Sequence, residues 1–123
     1  MSDLEALIRR HDAGWNSQDL DAIMPTYTDD IVFQNHTAGE APLEGAAAVR
    51  AHLAGIFERW PDMRFTGRRL YVADNVCVSE WTAAATTPDG RRIEWDGVDV
   101  FPIRDGLIAR KDVYSTSHIA RTL

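Results

Sequence analysis

The segment WDGVDVFPI, Trp95 to Ile103, is rich in aromatic and β-branched residues and reads as a β-strand. A period of two places Trp95, Gly97, Asp99, Phe101 and Ile103 on one face, so a carboxyl sits midway along the side that should be buried. Flanked by Trp95 and Phe101, Asp99 is costly to ionise, and burial raises its pKa unless a cation or several donors answer it. His11 is the candidate answer. From Asp3 to Asn16 the apolar residues Leu4, Leu7, Ile8 and Trp15 recur at helical spacing, and His11 falls on the same stripe. An imidazole and a carboxyl meeting inside a fold can hold or pass one proton near neutral pH. Each also has a plainer reading: a structural histidine on an apolar helix face, and a buried acceptor or a side chain turned to solvent.

These two residues lie far apart in sequence, so the elements must bring them together. After the first helix, Asn16, Ser17 and Asp19 offer caps for a second, short helix with Leu20, Ile23, Met24 and Tyr27 on one side, shortened or kinked by Pro25. Ile31 to His36 reads as a short strand and TAGEAPLEG as a loop. AAAVRAHLAGIFERWPD then resumes helical spacing through Val49, Leu53, Ile56, Phe57 and Trp60, and Pro61 ends it. Strands are expected over Met63 to Ala73, Val76 to Thr87, Arg91 to Ile103 and Leu107 to about Ser117, joined by the hairpin turns ADN, TPDG and RDG. Helices early and antiparallel strands late define an α+β fold, a cone in which a curved, mostly antiparallel sheet wraps around three N-terminal helices. Such a sheet leaves a small-molecule cavity between its concave face and the helices.

The 123 residues suit one domain spanning 1–123, and 45% hydrophobic with 26% charged residues is a globular composition. A net charge of −6 argues against nucleic-acid or anionic-membrane partners, which would need clustered Lys and Arg. Cys77 is the only cysteine, which excludes an intrachain disulfide and argues against a thiolate metal site. No signal-peptide core and no run of roughly 20 apolar residues is present. The expectation is a cytoplasmic protein that needs no cofactor. His36 and His118 lie near element ends, His52 lies off the apolar stripe of its helix, and no ligand spacing suggests a metal.

Three segments carry a resemblance. NSQDLDAIMPTYTDDIVFQN, PLEGAAAVRAHL and GVDVFPIRDGLIARKDVYS, in this order and spacing, are similar to the nuclear transport factor 2-like superfamily, and within it to SnoaL-like and ketosteroid isomerase-like proteins. The isomerases use a first-strand Asp as proton shuttle, and a helix Tyr with a protonated late-strand Asp as oxyanion holders. By position the late-strand Asp falls on Asp99, the base on Asn35 and the Tyr near His11. An amide cannot abstract a proton at neutral pH, so the isomerase mechanism does not carry over through Asn35. The Arg and Asp of limonene epoxide hydrolase fall on Trp81 and Ala83, and its last-strand Asp on Val113. SnoaL-type cyclases pair a late-strand His, here Asp99, with that same last-strand position. No family catalytic set is intact.

The expected catalytic group is thus Asp99, His11 and Asn35, with Asn35 orienting a carbonyl or a water. It would suit enolisation, cyclisation or hydration of an apolar carbonyl or polyketide-like compound. Trp15, Tyr27, Phe33, Phe57, Trp60, Trp81, Trp95, Phe101 and Val113 are candidate cavity residues, although aromatic residues at core periodicity are also simply core. Glu80, Thr82 and Ala84, with Val98 and Val100, fall on the opposite sheet face, where this superfamily commonly forms homodimers. The alternative is a ligand-binding or assembly domain without catalysis.

Overall fold

The computed structural model describes residues 2–123. Helix α1 (Asp3–Ser17) begins where the Ser2 hydroxyl accepts from the Glu5 N–H at 3.1 Å, and Asp3 and Glu5 put negative charge in the first turn. It ends at Gln18, whose left-handed backbone (φ 54°) directs its N–H to the Trp15 carbonyl. The buried face is Leu7, Ile8, His11, Gly14 and Trp15. The one-turn helix α2 (Leu20–Ile23) is capped by the Asp19 carboxylate, and Pro25 tightens the next residues into a 3-10 turn, Met24–Thr26. Tyr27 therefore does not complete the expected helical stripe. It opens strand β1 (Tyr27–Asn35), which starts there rather than at Ile31.

The loop after β1 holds a two-residue strand, β2 (Leu43–Glu44). Gly45, at φ 91°, turns the chain into α3 (Ala46–Arg59), which buries Val49, Leu53 and Phe57 and stops ahead of Pro61. Then come the four long strands of the meander: β3 (Arg64–Val72), β4 (Val76–Thr86), β5 (Arg92–Arg104) and β6 (Leu107–Ser115). The β5–β6 hairpin closes through Asp105 and Gly106, both at positive φ, as a tight two-residue turn requires. A 3-10 turn (Ser117–Ile119) and strand β7 (Arg121–Thr122), neither expected from the sequence, complete the chain's elements.

The strands form one unclosed sheet in the order β2-β1-β6-β5-β4-β3, with β7 on β5 beside Ile93 and Glu94. The sheet is mixed: β1 and β6 run parallel, and the other pairs are antiparallel. Register shifts at Gly67/Arg69, Val100/Ile103 and Tyr27/Val32 bend it. Leu7 and Ile8 of α1, Leu53 of α3, Ile31 and Phe101 are among the most deeply buried residues of the core. On the outer face Asp96 gathers Arg68, Arg121 and Thr82, so this side is less apolar than its valines imply. Cys77 is buried and free. No helix among the described residues is long and apolar enough to cross a membrane.

One close approach fixes the floor of the concave side. The Trp81 ring lies on the backbone of Gly97, directly across the β4–β5 ladder, and a methyl group at position 97 would overlap the ring. Gly97→Ala is expected to displace Trp81 and to destabilise the fold by about 1–3 kcal/mol, the usual cost of overpacking. Urea unfolding measures the loss, and near-ultraviolet circular dichroism reports the moved indole.

Candidate functional site

A cavity of about 350 Å³ opens between the concave sheet and the helices. Six aromatic residues line it, Trp15 from α1, Phe33 from β1, Phe65 from β3, Trp81 from β4 and Trp95 from β5, with Trp60 just beyond α3, and Glu40 and Arg59 add charge to its rim. Val113 and Asn35 also line it. Tyr27, Phe57 and Phe101, expected on the same wall, lie elsewhere. Phe101 is fully buried with its ring edge-on to His11 at 5.0 Å, and Phe57 backs Trp15 at 5.2 Å. Tyr27 sits in the core, where its hydroxyl meets His11. All three obey the inward alternation of their elements, but depth along the cone decides between core and cavity.

The polar end of the cavity is built by β5 and β6. Asp99 pairs with Val113 across the ladder, which makes Lys111, two residues earlier on β6, its diagonal neighbour on the same face. Lys111 Nζ stands 3.4 Å from Asp99 Oδ2, 3.4 Å from His11 Nε2 and 4.0 Å from the centroid of a Trp15 ring. Both members of the pair are only 5% exposed. At 3.4 Å the contact is longer than the roughly 2.8 Å of a closed charge-assisted bond. Burial pushes the Lys111 amine down and the Asp99 carboxyl up, and each partner partly opposes the shift of the other. One proton is thus shared by two groups that both favour neutrality.

Two polar atoms beside this pair, Asp99 Oδ1 and the Trp81 indole nitrogen, are buried without a hydrogen-bond partner among the described residues. The Trp81 N–H faces Asp99 closely enough to favour its anion, without the geometry of a regular hydrogen bond. Buried polar atoms are seldom left so, and a ligand oxygen that accepts from Trp81 and donates to Asp99 would satisfy both.

His11 does not contact Asp99 directly, as the sequence led one to expect; Lys111 stands between them. Its Nδ1 lies 2.9 Å from the Asp12 carboxylate, which can only accept, so Nδ1 carries the proton and Nε2 accepts from Tyr27 O–H at 3.1 Å and from Lys111. Tyr27 in turn accepts from the Trp15 indole at 3.3 Å. Burial, then the neighbouring Lys111 charge, hold His11 at about 4, against an ordinary 6.5. His11 borders a second, smaller cavity of about 90 Å³ with Asp12, Asn16 and Ser79, and Asp99 and Lys111 form part of the partition between the two. Asn35 borders the main cavity at the end of β1, where its side-chain carbonyl accepts from the Thr37 N–H at 3.2 Å.

Sequence reasoning missed Lys111, Phe65 and His52. His52, off the helical stripe, still faces the cavity with its ring 5.1 Å from Phe33. Lys111 lies in a strand whose charged residues read as solvent-facing, yet period two puts it on the face of Val113. Among the described residues no group of three or more His, Cys, Asp or Glu side chains converges as metal ligands do.

A helix-filled, curved sheet with its cavity at the open end is the architecture of the nuclear transport factor 2-like proteins. Within that class, a family model described as a SnoaL-like domain matches residues 8–111, and the chain belongs to the SnoaL-like family. TerC, solved with polyporic acid, superposes with a TM-score of 0.85 at 20% identity, covering 96% of this chain and 95% of that one. SalBIII, an epoxide hydrolase/cyclase-like enzyme in pyran ring formation in the polyether salinomycin, gives 0.84 at 19% identity, with 98% and 95% covered. An NTF2-like protein of unknown function from Burkholderia pseudomallei K96243 gives 0.83 at 16% identity, with 93% and 91% covered. No curated protein matches the chain by sequence.

The buried neutral imidazole has a measurable consequence. Between pH 6.5 and about 4 the unfolded chain takes up a proton at His11 that the folded chain refuses, so stability is full above this window and falls as pH drops through it. Over the whole window the loss is about 3 kcal/mol. Urea midpoints at pH 7 and pH 4.5 should differ more for the wild type than for His11→Gln; parallel profiles would refute the assignment.

Proposed function

We propose that this SnoaL-like protein is a small enzyme that isomerises or cyclises an apolar, ring-bearing carbonyl or polyketide-like compound by acid/base chemistry, without a cofactor. The observation that carries the reading is the Asp99–Lys111 pair, buried at the polar end of an aromatic cavity. A carboxyl that burial holds up and an amine that burial holds down can give a proton to a carbonyl oxygen and take one from the adjacent carbon. The orphaned Trp81 N–H supplies a further donor for a developing oxyanion. His11 acts behind Lys111 as a neutral acceptor that holds it in place, and Asn35 fixes the far end of the ligand. The aromatic walls suit a flat ligand, in keeping with the co-crystallisation of TerC with polyporic acid and the ring-forming role of SalBIII.

Asn35, where the isomerases carry a carboxylate base, favours a second reading, a ligand-binding domain without turnover. Deuterium exchange separates the two. With a panel of aryl and polycyclic ketones in D₂O, the wild type should exchange the α-hydrogen of at least one. Asp99→Asn should lower that rate by roughly 100-fold or more, in line with the loss of a positioned acid/base. Tryptophan quenching by the ketones with no exchange would establish the binding domain, and an Asp99→Asn protein that melts like wild type yet exchanges as fast would sink the catalytic assignment.

A further inference from the structure

Lys111 is the only lysine in the chain; the other twelve Lys/Arg positions are all arginine. The single ε-amine is buried in the partition between the two cavities, while arginines make the cationic ion pairs of the surface, such as those to Glu5, Asp21, Asp62 and Asp96. An arginine in that place would stay charged and could not act as a nucleophile, whereas an amine in a poorly solvated pocket can shed its proton. The groups facing Nζ are Asp99 from β5, His11 from α1 and the face of Trp15, with the Asp12 carboxylate behind His11. Transfer of the shared proton to Asp99 gives a free amine beside a carboxylic acid with no change in net charge.

We propose that Lys111 is a covalent amine nucleophile that forms an imine with an aldehyde or ketone held in the aromatic cavity. The proposal rests on the carbonyl-ligand reading above and deepens it. The Nζ lone pair adds to the carbonyl carbon, and the oxygen takes the Asp99 proton. Asp99 then recovers a proton from the nitrogen, which leaves a neutral carbinolamine. Protonation of the hydroxyl by Asp99 breaks the C–O bond and releases water, and the nitrogen becomes an iminium with one hydrogen. The product is an iminium paired with the Asp99 carboxylate, the same charge arrangement as the ammonium pair before it. That iminium withdraws electrons from the adjacent carbon, whose proton Asp99 is placed to take.

The absence of any other lysine makes the test direct. The full chain is incubated with 2-naphthaldehyde and sodium cyanoborohydride at pH 7, then read by intact mass and peptide mapping, with tryptophan quenching by the aldehyde alone measured in parallel. The expected result is one adduct on Lys111, of the probe less its oxygen. Lys111→Arg and Lys111→Met, shown by circular dichroism and melting to be folded, should give none beyond the N-terminal amine, which mapping separates. Asp99→Asn should slow trapping by roughly 10-fold or more. Quenching without a Lys111 adduct, or labelling of the N-terminal amine alone, overturns the imine and leaves the non-covalent reading standing. Neither quenching nor adduct, extended to the ketone panel, overturns both.

Discussion

A lysine on a central strand must put its ammonium somewhere, and the inward alternation of β6 turns Lys111 into the interior, where it is 5% exposed. Moving such a charge out of solvent costs several kcal/mol even after relaxation, so the surrounding elements have to answer it. Three side chains on two elements do so at once. The β5–β6 register sets Asp99 on the diagonal, and α1 lies across the sheet so that the Trp15 face and the lone pair of His11 Nε2 both point at Nζ. The angle of α1 is thus tied to the charge it covers, and the helix in turn depends on its Ser2 cap and on the close approach of Ile23 at Gly14. A shift of the helix by one turn would leave a buried ammonium facing only one carboxyl.

The shape of the cavity does not follow from which polar residues line it. In this chain Asp99 on β5 and Lys111 on β6 carry the buried polar pair beside the cavity, with an amide at Asn35 and an apolar Val113 on β6. The aromatic walls do not depend on that choice, because they are held by core contacts: Phe57 against Trp15, Phe65 edge-on to both Trp15 and Trp81, and Trp81 on Gly97. The cavity's shape and its buried polar pair are held by largely different contacts, with Trp15 and Trp81 taking part in both.

Most of the architecture is legible in the sequence because it is written in local periodicity. The α1 stripe, the proline stop after α3 and the Asp105-Gly106 turn each arise from a few adjacent residues. Tyr27 departs from its expected place because a helical stripe and the first residue of a strand look alike when a 3-10 turn intervenes. The β1–β6 parallel pairing and β7 are illegible for a different reason, being long-range pairings that no local pattern specifies. Asp99 stands out as a charge among aromatics, whereas its partner does not: in LIARKDVYS a lysine between arginine and aspartate reads as surface. Its signal lies in composition, in being the chain's sole lysine.

That rarity has an experimental side as well. An endoprotease specific for lysine has a single cleavage position in this protein, on β6, a strand hydrogen-bonded on both sides by β1 and β5. Cutting there requires the centre of the sheet to come apart, so at high protease, where cleavage outpaces reclosing, the rate of a single proteolytic nick counts the openings of the sheet. The residue that burdens the interior with a charge therefore also serves as a built-in clock for how often that interior is exposed.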